Sequence, residues 1–223
     1  MDYKTLKNEL FSIKDDAFAA FNKSLCNSDL EVIGIRTPIM KDYIKKHYKD
    51  EDLCLSDFEV GKYLEIDEMY YSIALKRCET ASEQLAFLKK TSKHMRSWCV
   101  TDTCPQYMKE YPFKEFYKFF LETYNAKDIY TRRLAYVMAM RFRHDIEVLT
   151  ILNHIRENDD YMVMMGEAWM LATVAIDYPQ EILDFLTNLN DVTLKRKTIS
   201  KIVESFRITD EYKTKFKELR NSI

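Results

Sequence analysis

Only three of the chain's 223 residues are glycine, and four are proline. Average usage is about 7% and 5%. Glycine supplies the positive-φ positions that many hairpins, phosphate-cradling loops and dinucleotide folds require. A chain this poor in it is an unpromising sandwich, P-loop enzyme or Rossmann domain. Helical periodicity dominates instead. Thr37-Pro38 reads as a helix start, a capping hydroxyl followed by proline in the first turn, with the run reaching about His47. Two helices fit within Tyr3–Leu25, and further ones fit Asp67–Cys78, Ser82–Ser92, Met95–Met108, Phe113–Tyr124 and Asp128–Phe142. The C-terminal part accommodates Ile146–Arg156, Tyr161–Ile176, Pro179–Leu189, Thr193–Ser205 and Asp210–Leu219. Short polar breaks marked by Asn, Asp or Pro separate them, which implies antiparallel helix pairs.

A faint repeat supports that reading. Leu134-Ala135-Tyr136-Val137 and Leu171-Ala172-Thr173-Val174 share a pattern at an offset of 37. HEAT and armadillo repeats run to about 40–47 residues. The expectation is an all-α chain, a curved solenoid of antiparallel HEAT-like helix pairs with a concave binding face, forming one domain over residues 1–223. Apolar residues at 47% are ample for a core, yet no run approaches the ~20 residues of a membrane span. Met1 to Leu25 lacks the apolar stretch of a signal peptide, so a soluble, cytoplasmic protein is expected. Nothing in the sequence argues for a dimer, and a monomer is expected.

The cysteines Cys26, Cys54, Cys78, Cys99 and Cys104 are odd in number and form no CxxC pair. Cys99 and Cys104 make a poor ligand pair, and His47, His94, His144 and His154 form no metal-binding spacing. Buried reduced thiols and no metal are the expectation. Charge is segregated within a net of −2. Eight acids face Lys62 alone between Asp50 and Glu68, whereas Asp191–Arg220 holds nine Lys/Arg against five Asp/Glu. A basic C-terminal face could hold phosphates while the acidic stretch stays in solvent. Solvated helix faces would produce the same pattern.

Trp98 and Asp102 stand four residues apart, on one helical face. An aromatic plane beside a carboxylate suits a cationic ligand, although a core tryptophan with a solvent-facing neighbour would read the same way. Arg133 follows Trp98 by 35 residues, and Trp169 follows Arg133 by 36. In a solenoid of that period the three occupy equivalent positions on successive repeats, about 8–10 Å apart. The chain's only two tryptophans both fall on this spacing. Arg132-Arg133 supplies forked donors for phosphate, and Lys195-Arg196-Lys197 could extend the track. Both are also ordinary surface features.

With these residues in place, the chain resembles the HEAT-like repeat DNA alkylation-repair proteins of the AlkD type over nearly its whole length. The anchors are Gly34-Ile35-Arg36-Thr37-Pro38, Ser97-Trp98 through Asp102, Tyr130-Thr131-Arg132-Arg133-Leu134-Ala135, Ala168-Trp169-Met170-Leu171 and Leu194-Lys195-Arg196-Lys197. Each is short, and their order and spacing together carry the likeness. The resemblance implies a DNA glycosylase that hydrolyses the N-glycosidic bond of cationic alkylpurines, of the 3-methyladenine and 7-methylguanine type, in double-stranded DNA. By the same resemblance Asp102 is the catalytic carboxylate, Trp98 and Trp169 complete the active site, and Arg133 binds phosphate. No metal or organic cofactor is implied, and no base-flipping pocket of the kind many glycosylases use.

Two departures from the family pattern favour an alternative. Ala172 and Thr173 stand where active members carry an Arg-Glu pair, and Asp15–Leu25 has Lys23 as its only cation where they meet the minor groove. That alternative is a weakly active or inactive paralogue binding damaged or branched DNA. A protein-interaction solenoid is the third reading.

Overall fold

The computed structural model describes residues 1–26, 28–155 and 160–222. Every named element among them is helical, and the only extended pairing is an isolated parallel bridge between Glu31 and Tyr63. None of these helices is long and apolar enough to cross a membrane. The chain divides into two compact units, Met1–Tyr111 and Pro112–Ile223.

The first unit contains α1 (Tyr3–Ser12), α2 (Asp16–Cys26), α3 (Thr37–His47), α4 (Leu64–Arg77), α5 (Ala81–Thr91) and α6 (Trp98–Thr103). Short 3-10 turns at Leu55–Asp57, Ser92–His94 and Cys104–Tyr107 punctuate it. The starts follow from side-chain caps that satisfy orphan N–H groups. Asp2 accepts from Thr5 N at 2.7 Å, and Thr80 with Glu83 closes a capping box on α5. α4 is buried on almost every side, and its Ile66, Met69 and Ile73 join Leu6, Leu10, Met40, Ile44 and Leu53 in one core cluster. Each such side chain taken from water contributes about 1.5–3 kcal/mol.

The second unit contains α7 (Phe113–Thr123), α8 (Ile129–Ala139), α9 (Tyr161–Val174), α10 (Pro179–Asn188), α11 (Val192–Glu204) and α12 (Asp210–Asn221). It also holds 3-10 segments at Met140–Phe142 and Ile146–His154. Phe113, Phe116 and Phe120 recur at helical spacing and are buried, so α7 lays an aromatic stripe into the core. α8 packs against α9, α9 against α11, and α11 against α12. The anchors on α8, α9 and α11 therefore lie on successively packed helices.

Helical segments are found at the expected positions among the described residues, with five corrections. Thr37 is the first residue of α3 and not its cap; Arg36 holds the cap position and makes no side-chain capping bond. The continuous helix expected over Met95–Met108 is α6 followed by a 3-10 turn, because Pro105 has no N–H to continue the ladder. The expected helix Ile146–Arg156 is 3-10 through His154, with β-branched Ile146, Val148, Thr150 and Ile151 disfavouring the α form; its last residue, Arg156, lies outside the described residues. The acidic stretch does not all stay in solvent, since Glu65, Asp67 and Glu68 are buried on α4. Cys54 is exposed, in contrast to the expected buried thiol.

Candidate nucleic-acid site

In the first unit the Gly34 turn leads into α3. Gly34 has φ +94°, and a Cβ there would sit 2.2 Å from the carbonyl oxygen of Asp15, so only glycine fits. The buried Glu65 carboxylate clamps the turn, accepting from the backbone N–H groups of Ile33 (2.9 Å), Gly34 (2.8 Å) and Ile35 (3.2 Å). Arg36 donates to Asp15 Oδ2 at 2.9 Å and lies over the Phe18 ring. α2 therefore enters tied to this anchor. Lys23, its one cation after Asp16, donates to the carbonyls of Ser28 and Leu30. Phe21 and Leu25 stand exposed on the same helix.

α6 carries Trp98 and Asp102, both half-buried. Ser97 caps it by accepting from Cys99 N at 3.2 Å. The Trp98 indole donates to Leu25 O at 3.2 Å, fixing the ring against the end of α2. The Thr101 hydroxyl lies 2.9 Å from Asp102 Oδ1 and 2.8 Å from Trp98 O, so it orients the carboxylate from within the same short helix. Beside it, the Cys26 and Cys99 sulfurs are 3.2 Å apart. That contact lowers the Cys26 pKa and, from the other side, raises that of Cys99. Burial keeps Glu68, near Cys99, well above the usual carboxylate range. Asp67 accepts from Gly61 N at 2.7 Å, yet burial pushes it up to about 6.

In the second unit Asp128 caps α8 through Thr131 N (2.8 Å), and Asp160 caps α9 through Met162 N (2.8 Å). Arg133 is only 3% exposed; it donates to Met162 O at 2.7 Å and lies 5.7 Å from the Trp169 ring centroid. Gly166 makes room for it, since a Cβ there would press on Arg133 Cγ at 3.2 Å. Arg132 is half-buried. Lys195 is buried with its ammonium 3.4 Å from Thr187 O, whereas Arg196 and Lys197 are exposed and Lys197 lies over Tyr161.

The structure thus unites two of the sequence-derived pairs, Trp98 with Asp102 on α6 and Arg133 with Trp169 across α8 and α9. The basic run is divided, with one lysine turned inward and two cations facing out. Three contributors escaped the sequence reading: the Glu65 clamp, the Thr101 hydroxyl and the glycine seat for Arg133. In a chain with three glycines the positions of Gly34 and Gly166 were themselves a signal of close approach.

The chain matches a known family over most of its length. Its profile, described as DNA alkylation repair enzyme, matches residues 6–205. No curated protein and no solved structure matches the chain.

Proposed function

Since the chain belongs to the DNA alkylation repair enzyme family, we propose that it is a DNA glycosylase releasing cationic alkylated purines from double-stranded DNA. Alkylation at a ring nitrogen makes the base positively charged and a good leaving group without protonation. Water attacks C1′, the glycosidic bond breaks, and the departing base keeps the bonding pair, which neutralises its charge. The water proton passes to Asp102 or solvent, leaving an abasic deoxyribose. Asp102 stabilises the positive charge that develops on the sugar and orients the water. Trp98 and Trp169 contact the damaged nucleotide's sugar and backbone, excluding solvent and adding cation–π attraction. Arg132 meets phosphate, with Arg133 beside Trp169 positioning that ring, Arg196 and Lys197 as outward-facing extensions and Lys195 seating their helix. Residues 1–223 serve as one HEAT-like DNA-binding domain in this reading, acting as a monomer in the cytoplasm without metal or organic cofactor.

The observation that carries the reading is the oriented, half-exposed Asp102 carboxylate on the same short helix as Trp98. The test is alkali-revealed strand cleavage of duplex DNA containing one 7-methylguanine, compared with spontaneous depurination. Release well above that baseline, abolished by Asp102→Asn with DNA binding nearly intact, is the expected result. An unchanged rate in Asp102→Asn would remove the assigned role.

A second reading, a DNA-binding relative without efficient excision, is favoured by one feature of α2. Its Lys23 is committed to backbone carbonyls, so that helix offers a duplex little charge. Baseline release by a folded protein whose DNA affinity falls steeply with salt would select this reading.

A further inference from the structure

The first unit has a basic cleft that plays no part in the chemistry above. It is about 280 Å³ in volume and lined by Lys41, Ile44 and Lys45 of α3, Lys76 of α4, and Gln106 and Tyr107 of the turn after α6. Lys41 and Lys45 are one helical turn apart and exposed, on a common face of α3. The Lys76 ammonium lies 4.4 Å from the Tyr48 ring centroid and 6.0 Å from that of Tyr107, which holds its stem across the cleft.

Two features distinguish this cluster from a solvated lysine face. The first is electrostatic. Some other cations of this unit have carboxylate partners: Lys7 and Lys62 pair with Glu59, Arg36 with Asp15, and Arg96 with Asp29. Among the described residues no carboxylate lies within ion-pair distance of Lys41, Lys45 or Lys76. Three like charges therefore converge from two helices without an internal counter-ion. The second is that the frame is rigid. Arg77, next to Lys76, spends its guanidinium on the carbonyls of Tyr48 (2.6 Å), Leu53 (2.8 Å) and Asp50 (2.9 Å), fixing the end of α4 against the chain that leaves α3. The fully buried Gln84 donates to Leu75 O and Tyr107 O and accepts from Lys109 N, locking the third wall to the same helix end. The walls that carry the three lysines are thereby held in place, with Lys76 seated over Tyr48.

We infer that this cleft is a phosphate-binding site. Ammonium groups are point-charge donors suited to phosphate oxygens, and the Gln106 amide adds a neutral donor at the wall. The phosphate has two possible sources, the backbone of a DNA strand or a free phosphorylated molecule. The inference is independent of Asp102, so excision could fail its test while the cleft passes.

The experiment uses the full chain. Inorganic phosphate is titrated while backbone amides of 41–45 and 106–107 are followed by NMR. Duplex DNA binding is then measured against salt for wild type and for Lys41→Ala/Lys45→Ala/Lys76→Met, which keeps the Lys76 stem over Tyr48. A control removes Lys4, Lys14 and Lys90, and a variant carrying Lys41→Ala, Lys45→Ala and Lys76→Arg returns one charge. Phosphate-induced shifts at these amides are expected. If the source is DNA, the log–log salt slope falls in magnitude by about 2.7 in the triple variant, at about 0.9 per lost phosphate contact, with partial recovery on restoring the charge. Amide shifts with an unchanged slope would identify a free phosphorylated ligand. Absence of amide shifts, with a slope change no larger than in the control, would overturn the inference.

Discussion

Replacing Asp67 with asparagine should stabilise the protein above neutrality and leave it unchanged in acid. Asp67 has no exposed surface, and its carboxylate has one hydrogen bond, Gly61 N to Oδ1, while Oδ2 has no partner. Burial raises its pKa from 3.8 to about 6, helped by Asp29 and opposed by the Gly61 bond and the charge of Arg96. The folded protein therefore holds a proton that the unfolded chain releases near pH 4. Stability from this site is fully present below pH 3.8 and is lost as pH rises through about 6. At about 1.4 kcal/mol for each tenfold change in proton affinity, the loss is about 3 kcal/mol. Asp67→Asn keeps the shape and the Gly61 acceptor but cannot ionise. It also removes a charge that helps raise Glu68, so the gain at high pH has the same sign from both residues. Urea unfolding of wild type and variant at intervals from pH 4 to 8.5 measures the difference. It should be near zero at pH 4, open between pH 4 and 6, and level off at about 3 kcal/mol in favour of the variant. A difference that does not grow with pH, or that favours wild type at pH 8, would refute the argument that Asp67 is ionised at a net cost.

Two further substitutions probe the anchors. Gly34→Ala must relieve a 2.2 Å approach to the Asp15 carbonyl at φ +94° and so disturb the Glu65 clamp, with an expected loss of about 2–4 kcal/mol in chemical denaturation; a loss under 1 kcal/mol would show that the turn is not rigid. Arg133→Ala removes the bond to Met162 O and the contact with Trp169, for about 2–4 kcal/mol of stability. In a Trp98→Phe background it should also shift the emission of Trp169, and unchanged emission would mean that the ring does not depend on the guanidinium.

Helix positions were legible because apolar periodicity and caps are local properties. Asp2, Thr80, Asp128, Asp160 and Asp191 each precede a helix and satisfy its first free N–H groups. The pairing of Trp98 with Asp102 was legible for the same reason, since four residues is one helical turn. The relation of Arg133 to Trp169 was visible only as a period. That they meet through a buried cation and a ring depends on how closely α8 and α9 approach, which Gly166 permits.

Burial of charge could not be read locally. Glu65, Asp67 and Glu68 look like part of an acidic surface run, and their fate was decided when α4 was covered on nearly every side. Glu65 then found three backbone donors and became a clamp, whereas Asp67 found one and moved up to about pH 6. The basic cleft is of the same kind, because Lys41 and Lys76 are 35 positions apart in sequence and converge only through Arg77 and Gln84. The sequence by itself determined roughly where the helices lie and the family to which the chain belongs, since each rests on spacing within one or two turns or on ordered short anchors. The tertiary structure alone decided which charges are buried, which are paired and which are left facing one another, because desolvation and Coulomb energy depend on distances between segments that the order of residues does not contain.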